Sequence, residues 1–333
     1  MYQNQSILVS IIIPSWNTGK YIYKAIRSAL EQTIQEIEII VVDDCSSDNS
    51  IEIIQQIQDD RLKLLINDNN LGVSATRNLA IKEAQGKWIA VLDADDWYSP
   101  NRLERLIQIA TENNGDIVAD NLYLIDQEQD LPWGTLLGQN QGSIQKISAA
   151  EFVASDIPSK KGLYLGFTKP IFRRDFLVDN QIQYREQLKV TQDFWFVMDC
   201  FAHGASYYLV FEPYYYYLSR PGSGIYSDKI ERLNHECETI ASFYLYQDYL
   251  SQNSDVLVAI QEKARQTLLL LQYYNFVEPL KKSDWRKCLT AINFDGKFWI
   301  FTVHALLKSL QNRFSSLFSE QEEDYLKFLF KKN

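Results

Sequence analysis

Sulfur and imidazole are scarce in this chain: four cysteines, three histidines and two methionines in 333 residues. The cysteines (Cys45, Cys200, Cys237, Cys288) are scattered and form no CxxC pair. A disulfide scaffold or a zinc ribbon is therefore excluded, and free thiols of a reducing compartment are expected. His203, His235 and His304 lie far apart, so no histidine-based metal cluster can be proposed. Long apolar runs are missing too. None approaches the roughly 20 residues of a membrane span. Residues 7–13 are apolar, but they are few, lack a basic leader and run into Pro14, unlike a signal peptide. The expectation is a cytoplasmic protein, at most peripheral on the inner face of a membrane.

Positive charge is in deficit. Thirty-three basic against 43 acidic residues give a net charge of −10, the wrong sign for diffuse nucleic-acid binding. An anionic ligand would need a local cation or a bound metal. No Walker A loop occurs, and no GxGxxG follows a strand, which excludes a P-loop NTPase and a dinucleotide-dependent dehydrogenase. What is abundant is aromatic: 20 Tyr, 17 Phe and 7 Trp. Such side chains fill cores and also stack on sugars.

The first 125 or so residues alternate between two periods. Residues 7–13, 37–42, 62–66 and 88–92 are short β-branched or apolar runs, the mark of strands buried on both faces. Between them, residues 20–31, 51–57 and 74–84 carry helical spacing, and Pro100 opens another helix. The order βαβαβαβ implies an α/β fold with a mostly parallel sheet and helices on both faces. Further strands are expected at 117–125, 163–172 and 207–217, and helices at 148–155 and from Asp193 to about His203. After Ser227 the pattern is almost wholly helical. Two regions are expected: a ligand-binding and catalytic domain over 1–225 and a helical region over 226–333.

Ligands of such sheets bind beyond the carboxyl ends of the strands. Acids collect there. Asp93, Asp95 and Asp96 follow one strand directly, in LDADD. Three neighbouring carboxylates repel unless a cation balances them, and Mg²⁺ or Mn²⁺ is the natural partner. An EF-hand is rejected, because its sixth position would be Tyr98 rather than Gly. Asp43 and Asp44 end another strand in VVDDCSSD, where a carboxylate can accept hydrogen bonds from a base or ribose; a helix cap is the plain alternative. In NLGVSATRN, Arg77 stands where a guanidinium could reach a diphosphate. Asp193 opens an aromatic helix in VTQDFWF, and spacing alone would make it a cap.

Together these segments resemble an inverting glycosyltransferase of family 2 with the GT-A fold. The resemblance rests on SIIIPSWN, VVDDCSSDNS, NLGVSATRN, GKWIAVLDADD and FTKPIFRRDFL…TQDFWF, and covers roughly residues 7–225. It implies a GT-A catalytic domain followed by a C-terminal helical extension. By the same resemblance Pro14 and Asn17 line the nucleotide loop, and Asp44, with Asp43, binds the uracil edge. Arg77 lies near the nucleotide, and Asp93 approaches the ribose. Asp95 carries the metal on the diphosphate, with Asp96 beside them, and Asp193 is the general base. Gln192 stands where the family pattern has Glu. The donor implied is a UDP-sugar, the cofactor Mn²⁺ or Mg²⁺, and the acceptor a saccharide or lipid-linked hydroxyl in bacterial polysaccharide assembly. Trp97, Tyr98, Trp133 and Trp195 are candidate sugar-stacking faces, and Arg220 could fold over the diphosphate. Residues 298–318 form an amphipathic pattern that would lie on a membrane surface, on the catalytic domain or on a second copy of the chain. The alternatives are a sugar-nucleotide nucleotidyltransferase, which would want a basic Gly-rich phosphate loop, and a non-catalytic scaffold of the same fold.

Overall fold

The structure of the protein, a computed structural model, describes residues 6–127, 131–138, 142–157, 164–188, 190–219, 229–240, 246–282 and Arg286. The chain divides into two compact units. One consists of Met1–Phe152 and Tyr164–Leu218, the other of Val153–Leu163 and Ser219–Asn333. The first unit thus ends at Leu218, and the short segment Val153–Leu163 goes with the second unit.

In the first unit β1 (Val9–Ser15), β2 (Ile37–Asp43), β3 (Leu62–Ile66) and β4 (Trp88–Val91) run parallel in the order β3-β2-β1-β4. Every residue of β1 except Pro14 is buried, as are all four of β4, because helices cover both faces. Those helices are α1 (Ile22–Leu30), α2 (Ser50–Gln55), α3 (Val73–Glu83) and α4 (Arg102–Glu112). In α1, Ile22, Ala25, Ile26, Ala29 and Leu30 form the buried stripe that the 3.6-residue period demands.

The second half of the sheet departs from the mostly parallel expectation. It contains β5 (Trp97–Tyr98), β6 (Ile117–Asp126), β7 (Pro132–Thr135), β8 (Ile144–Ile147), β9 (Ile171–Arg173) and β10 (Tyr207–Ser219). The sheet continues β4-β9-β6-β10-β5, with β7 on β6 and β8 on β10. Strand β9 runs antiparallel to both β4 and β6, so the parallel part stops at β4. The strand expected over 163–172 is also shorter. Tyr164 takes a left-handed conformation (φ 47°), a 3-10 turn follows at Leu165–Phe167, and Pro170 lacks the N–H a ladder needs. Helices α5 (Ala149–Ser155), α6 (Arg174–Asp179) and α7 (Gln192–Ala202) complete the order up to β10.

The second unit contains α8 (Lys229–Ile240), α9 (Gln247–Gln252) and α10 (Ser254–Lys281). Leu233, Leu271 and Tyr274 form its apolar cluster. Lys263, on α10, is buried and binds Glu236 of α8 at 2.6 Å and Asp156 at 2.8 Å. Among the described residues no helix is long and apolar enough to cross a membrane. The segment 298–318 lies outside the described residues, as does Arg220.

Candidate active site

The loops at the carboxyl ends of β1, β2 and β3 are fastened to one another by carboxylates and an amide. Asn17 sits at a positive φ (51°), and its Oδ1 accepts from the Ser47 amide at 2.8 Å and the Asp48 amide at 3.3 Å. Pro14 lies within β1, in register with Val42. Asp43 is buried and accepts from Ser15 Oγ (3.0 Å), the Ser46 amide (2.8 Å) and Ser46 Oγ (2.7 Å). Asp44 accepts from Asn67 Nδ2 (2.8 Å) and from the amides of Leu71 (2.9 Å) and Gly72 (2.8 Å). Gly72 has φ 88°, a conformation that suits glycine, and it directly precedes α3. Asp43 and Asp44, read from sequence as nucleotide contacts, thus also build the loops. Asp44 in particular fixes where α3 begins and so where Arg77 stands.

Arg77 leaves α3 into a ring of four charges. Its Nη1 donates to Asp193 Oδ1 and its Nη2 to Asp93 Oδ1, each at 2.7 Å. Lys169 closes the ring, with Nζ 2.7 Å from Asp193 Oδ2 and 2.9 Å from Asp93 Oδ2. The two cations are buried, at 5% and 9% exposure, while each carboxylate is 23% exposed. The acids therefore face the open side. Burial alone would raise the Asp193 carboxyl, but the Arg77 guanidinium and the Lys169 ammonium outweigh it and hold the group below the ordinary carboxylate range. Burial likewise disfavours the charged form of Lys169, and Asp193 and Asp93 reverse that and raise its pKa. Tyr184 lies under the guanidinium, its ring centre 5.1 Å from Arg77 Cζ, and stacks in turn on Phe196 at 4.0 Å.

The acidic triplet does not act as one cluster. Asp93 belongs to the ring. Asp96 is buried instead of lying beside the nucleotide as expected: its Oδ2 accepts from the Tyr215 hydroxyl at 2.7 Å and its Oδ1 from the Leu218 amide at 2.8 Å. Burial, then the nearby Asp95 and Asp93, push its carboxyl well above the ordinary range. The turn after β4 directs successive side chains differently, and β10 supplies donors for one of them. Tyr215 also accepts from the Asp93 amide at 3.2 Å, so one hydroxyl sets both ends of the turn. Asp95 is partly exposed. Among the described residues no group of three or more His, Cys, Asp or Glu could by itself hold a metal ion. This donor set still fits a hard cation of the Mg²⁺ type, which is commonly held by one or two carboxylates together with substrate phosphates.

The aromatic expectations need correction. Trp195 is 1% exposed and packs edge-on against Phe194 within α7, so it is a core residue and presents no face to a sugar. Trp97 lies parallel to Tyr216 at 5.4 Å and carries the Lys24 ammonium 3.2 Å from its ring centre, so its faces are already engaged. Tyr98 is buried and donates its hydroxyl to the Val91 carbonyl at 2.6 Å. Trp133, on β7, is partly exposed. Lys169 and the fully buried pair Arg102–Asp120, whose arginine also donates to the Lys169 carbonyl, were not singled out by the sequence. Only Lys169 left a trace, as a lone cation ahead of Pro170 in FTKPIF.

A half-parallel sheet with a charged site at its carboxyl edge is the architecture of the GT-A glycosyltransferases. Solved structures of S. aureus TarS 1-349 are similar to this chain in fold. The complex with UDP-GlcNAc gives a TM-score of 0.57 at 19% identity, over 85% of this chain and 90% of that one. The family model "Glycosyl transferase family 2" matches residues 10–175, and the chain belongs to that family. Curated relatives include the succinoglycan biosynthesis protein ExoO of Rhizobium meliloti, 32% identical over 237 residues, 70% of this chain and 66% of the relative. GlyG of Streptococcus pneumoniae is 38% identical over 40% of this chain and 46% of its own length. WfgD of Escherichia coli, named as a UDP-Glc:alpha-D-GlcNAc-diphosphoundecaprenol beta-1,3-glucosyltransferase, is 41% identical over 36% and 47%. The chain thus spans about half to two thirds of the length of these relatives.

Proposed function

We propose that the protein is an inverting glycosyltransferase. It moves a sugar from a UDP-sugar to a hydroxyl of a saccharide or lipid-linked acceptor, in bacterial polysaccharide assembly on the cytoplasmic side. The observation that carries this reading is the ionised, partly exposed Asp193 carboxylate at the rim, 2.7 Å from each of two buried cations. The UDP and UDP-GlcNAc complexes of TarS and the printed name of WfgD support the donor class.

Asp193 takes the proton of the acceptor hydroxyl as that oxygen attacks the anomeric carbon. Like an ordinary aspartate it is an anion at neutral pH, and the two cations beside it make it a weaker base than a free one. Arg77 lies buried beside it and balances the charge of the two carboxylates that face the opening. A single displacement inverts the anomeric configuration, so no second carboxylate is needed as a nucleophile. Asp95 would hold a divalent cation, Mn²⁺ or Mg²⁺, which supplies charge neutralisation at the diphosphate leaving group when bound. Asp93, on the other side of the ring, approaches the donor ribose. Asn17 and Asp44 keep the three nucleotide-side loops in register.

The test is a panel of nucleotide sugars, with and without Mn²⁺, scored by thermal stabilisation and UDP release. A UDP-sugar should stabilise the protein and be turned over. Asp193→Asn should abolish transfer and leave UDP binding intact by calorimetry. Transfer retained by that variant refutes the assignment of the base, and a panel without any response refutes the donor class.

A further inference from the structure

Lys169 takes no step in the proposed reaction, yet it is held at both its backbone and its ammonium. It precedes Pro170, which biases its backbone to an extended conformation. Its carbonyl accepts from Arg102 Nη2, and that guanidinium is gripped by the buried carboxylate of Asp120. The neighbouring Thr168 bonds the Leu165 carbonyl at 2.6 Å and the Tyr207 hydroxyl at 3.2 Å. The register Ala90↔Ile171, carried on by two residues, brings Lys169 opposite Leu92, next to Asp93. A surface lysine keeps its head in water. This one is fixed at its backbone, its stem is buried, and its ammonium sits between Asp93 and Asp193.

The geometry gives that ammonium a task. A carboxylate held through one oxygen can rotate about its Cβ–Cγ bond, whereas one held through both oxygens cannot. Arg77 holds Asp193 by Oδ1 and Lys169 holds it by Oδ2. Both cations also hold Asp93, so the acid on the donor side and the acid on the acceptor side are kept at one fixed separation. We propose that Lys169 is a positioning residue for glycosyl transfer, orienting the Asp193 carboxylate toward the acceptor hydroxyl; it holds Asp93 as well, so the two acids are oriented together. This rests on the reading of Asp193 as the base. A group that orients the base acts on the chemical step more than on the donor's ground-state affinity.

The experiment compares Lys169→Met, Lys169→Arg and Asp193→Asn in the full chain. UDP-GlcNAc and UDP-glucose are the donor probes, and UDP release is read as kcat and donor KM. Misplacement of a catalytic group by about 1 Å can cost on the order of 100-fold. Lys169→Met should therefore lower kcat by roughly 30- to 100-fold, with a smaller rise in donor KM, below about tenfold, from the loosened Asp93. Lys169→Arg, whose fork can also reach two carboxylates, should restore kcat to within about tenfold of the parent. An unchanged kcat in Lys169→Met overturns the proposal. So does a rise in donor KM at constant kcat, which makes Lys169 a donor contact, or a loss that Arg does not restore and that accompanies lost UDP binding, which makes it structural. Turnover retained by Asp193→Asn is a separate failure: it removes the base itself, whatever the lysine variants do.

Discussion

The ion pair between Arg102 and Asp120 allows a sharp test of how the site is supported. Both side chains are 0% exposed, and their closest contact is 2.7 Å. Burial lifts the Asp120 carboxyl above its ordinary range even against the Arg102 guanidinium, so removal from water is the larger effect. Arg102 Nη1 has no hydrogen-bond partner, which lowers the net worth of the pair further. Removing one partner strands a buried charge, at about 3–5 kcal/mol. For a domain of roughly 200 residues, each kcal/mol moves Tm by about 2–4 °C, so Asp120→Ala should melt about 6–20 °C lower. The double variant Arg102→Met/Asp120→Leu removes both charges and keeps an apolar filling. It should regain most of that loss, short by about 1 kcal/mol for the Lys169 carbonyl that Arg102 no longer meets. Thermal melts of the parent, Arg102→Met, Asp120→Leu and their combination, followed by circular dichroism, form a double-mutant cycle. A drop below about 2 °C in Asp120→Ala, or a double variant as unstable as the sum of the singles, refutes the reasoning. Transfer by the folded double variant should stay depressed, because the lysine backbone has lost its anchor.

Three further outcomes are expected. Asp193 has a depressed folded-state pKa, so its contribution to stability is present above about pH 4 and is lost only as the pH falls through the lower folded value; a carbon-13 NMR titration should find it ionised throughout from about pH 8 to 5, and protonation inside that window contradicts the ring. Asp44→Ala strips the Leu71 and Gly72 amides and Asn67 of their acceptor, so limited proteolysis should cut faster near residues 67–72 and donor KM should rise roughly tenfold, while resistance equal to the parent's would deny Asp44 its fastening role. Lys263→Met leaves Asp156 and Glu236 buried without their cation and should destabilise the second unit by about 3–5 kcal/mol in a urea titration; a shift under about 1 kcal/mol would mean that water reaches the pair.

The parallel half of the fold was legible in the sequence because strands buried on both faces read as unbroken β-branched runs, as in residues 7–13 and 37–42. The antiparallel half was less so. Strand β9 is only three residues long and takes its place from its neighbours, since nothing in IFR distinguishes the strand that borders β4. Position at the rim could be read for Asp93, which directly follows a buried apolar run; for Asp193 spacing alone gave a helix cap, and only the family resemblance pointed to the site. What each acid binds could not be read. Asp95 and Asp96 are adjacent and chemically identical, and only the partner strand β10, more than a hundred residues later, turns one inward. Trp195 misled for a related reason: an aromatic beside Asp193 reads the same whether it faces a sugar or the core, and α7 is buried at every position from Phe194 to Met198.

The ring draws Arg77 and Asp93 from the parallel half and Lys169 and Asp193 from the antiparallel half. While a ribosome has made only the first 125 or so residues, the growing chain contains Arg77 and Asp93 but neither Lys169 nor Asp193. The ring therefore closes only once the segment through α7 has emerged and docked.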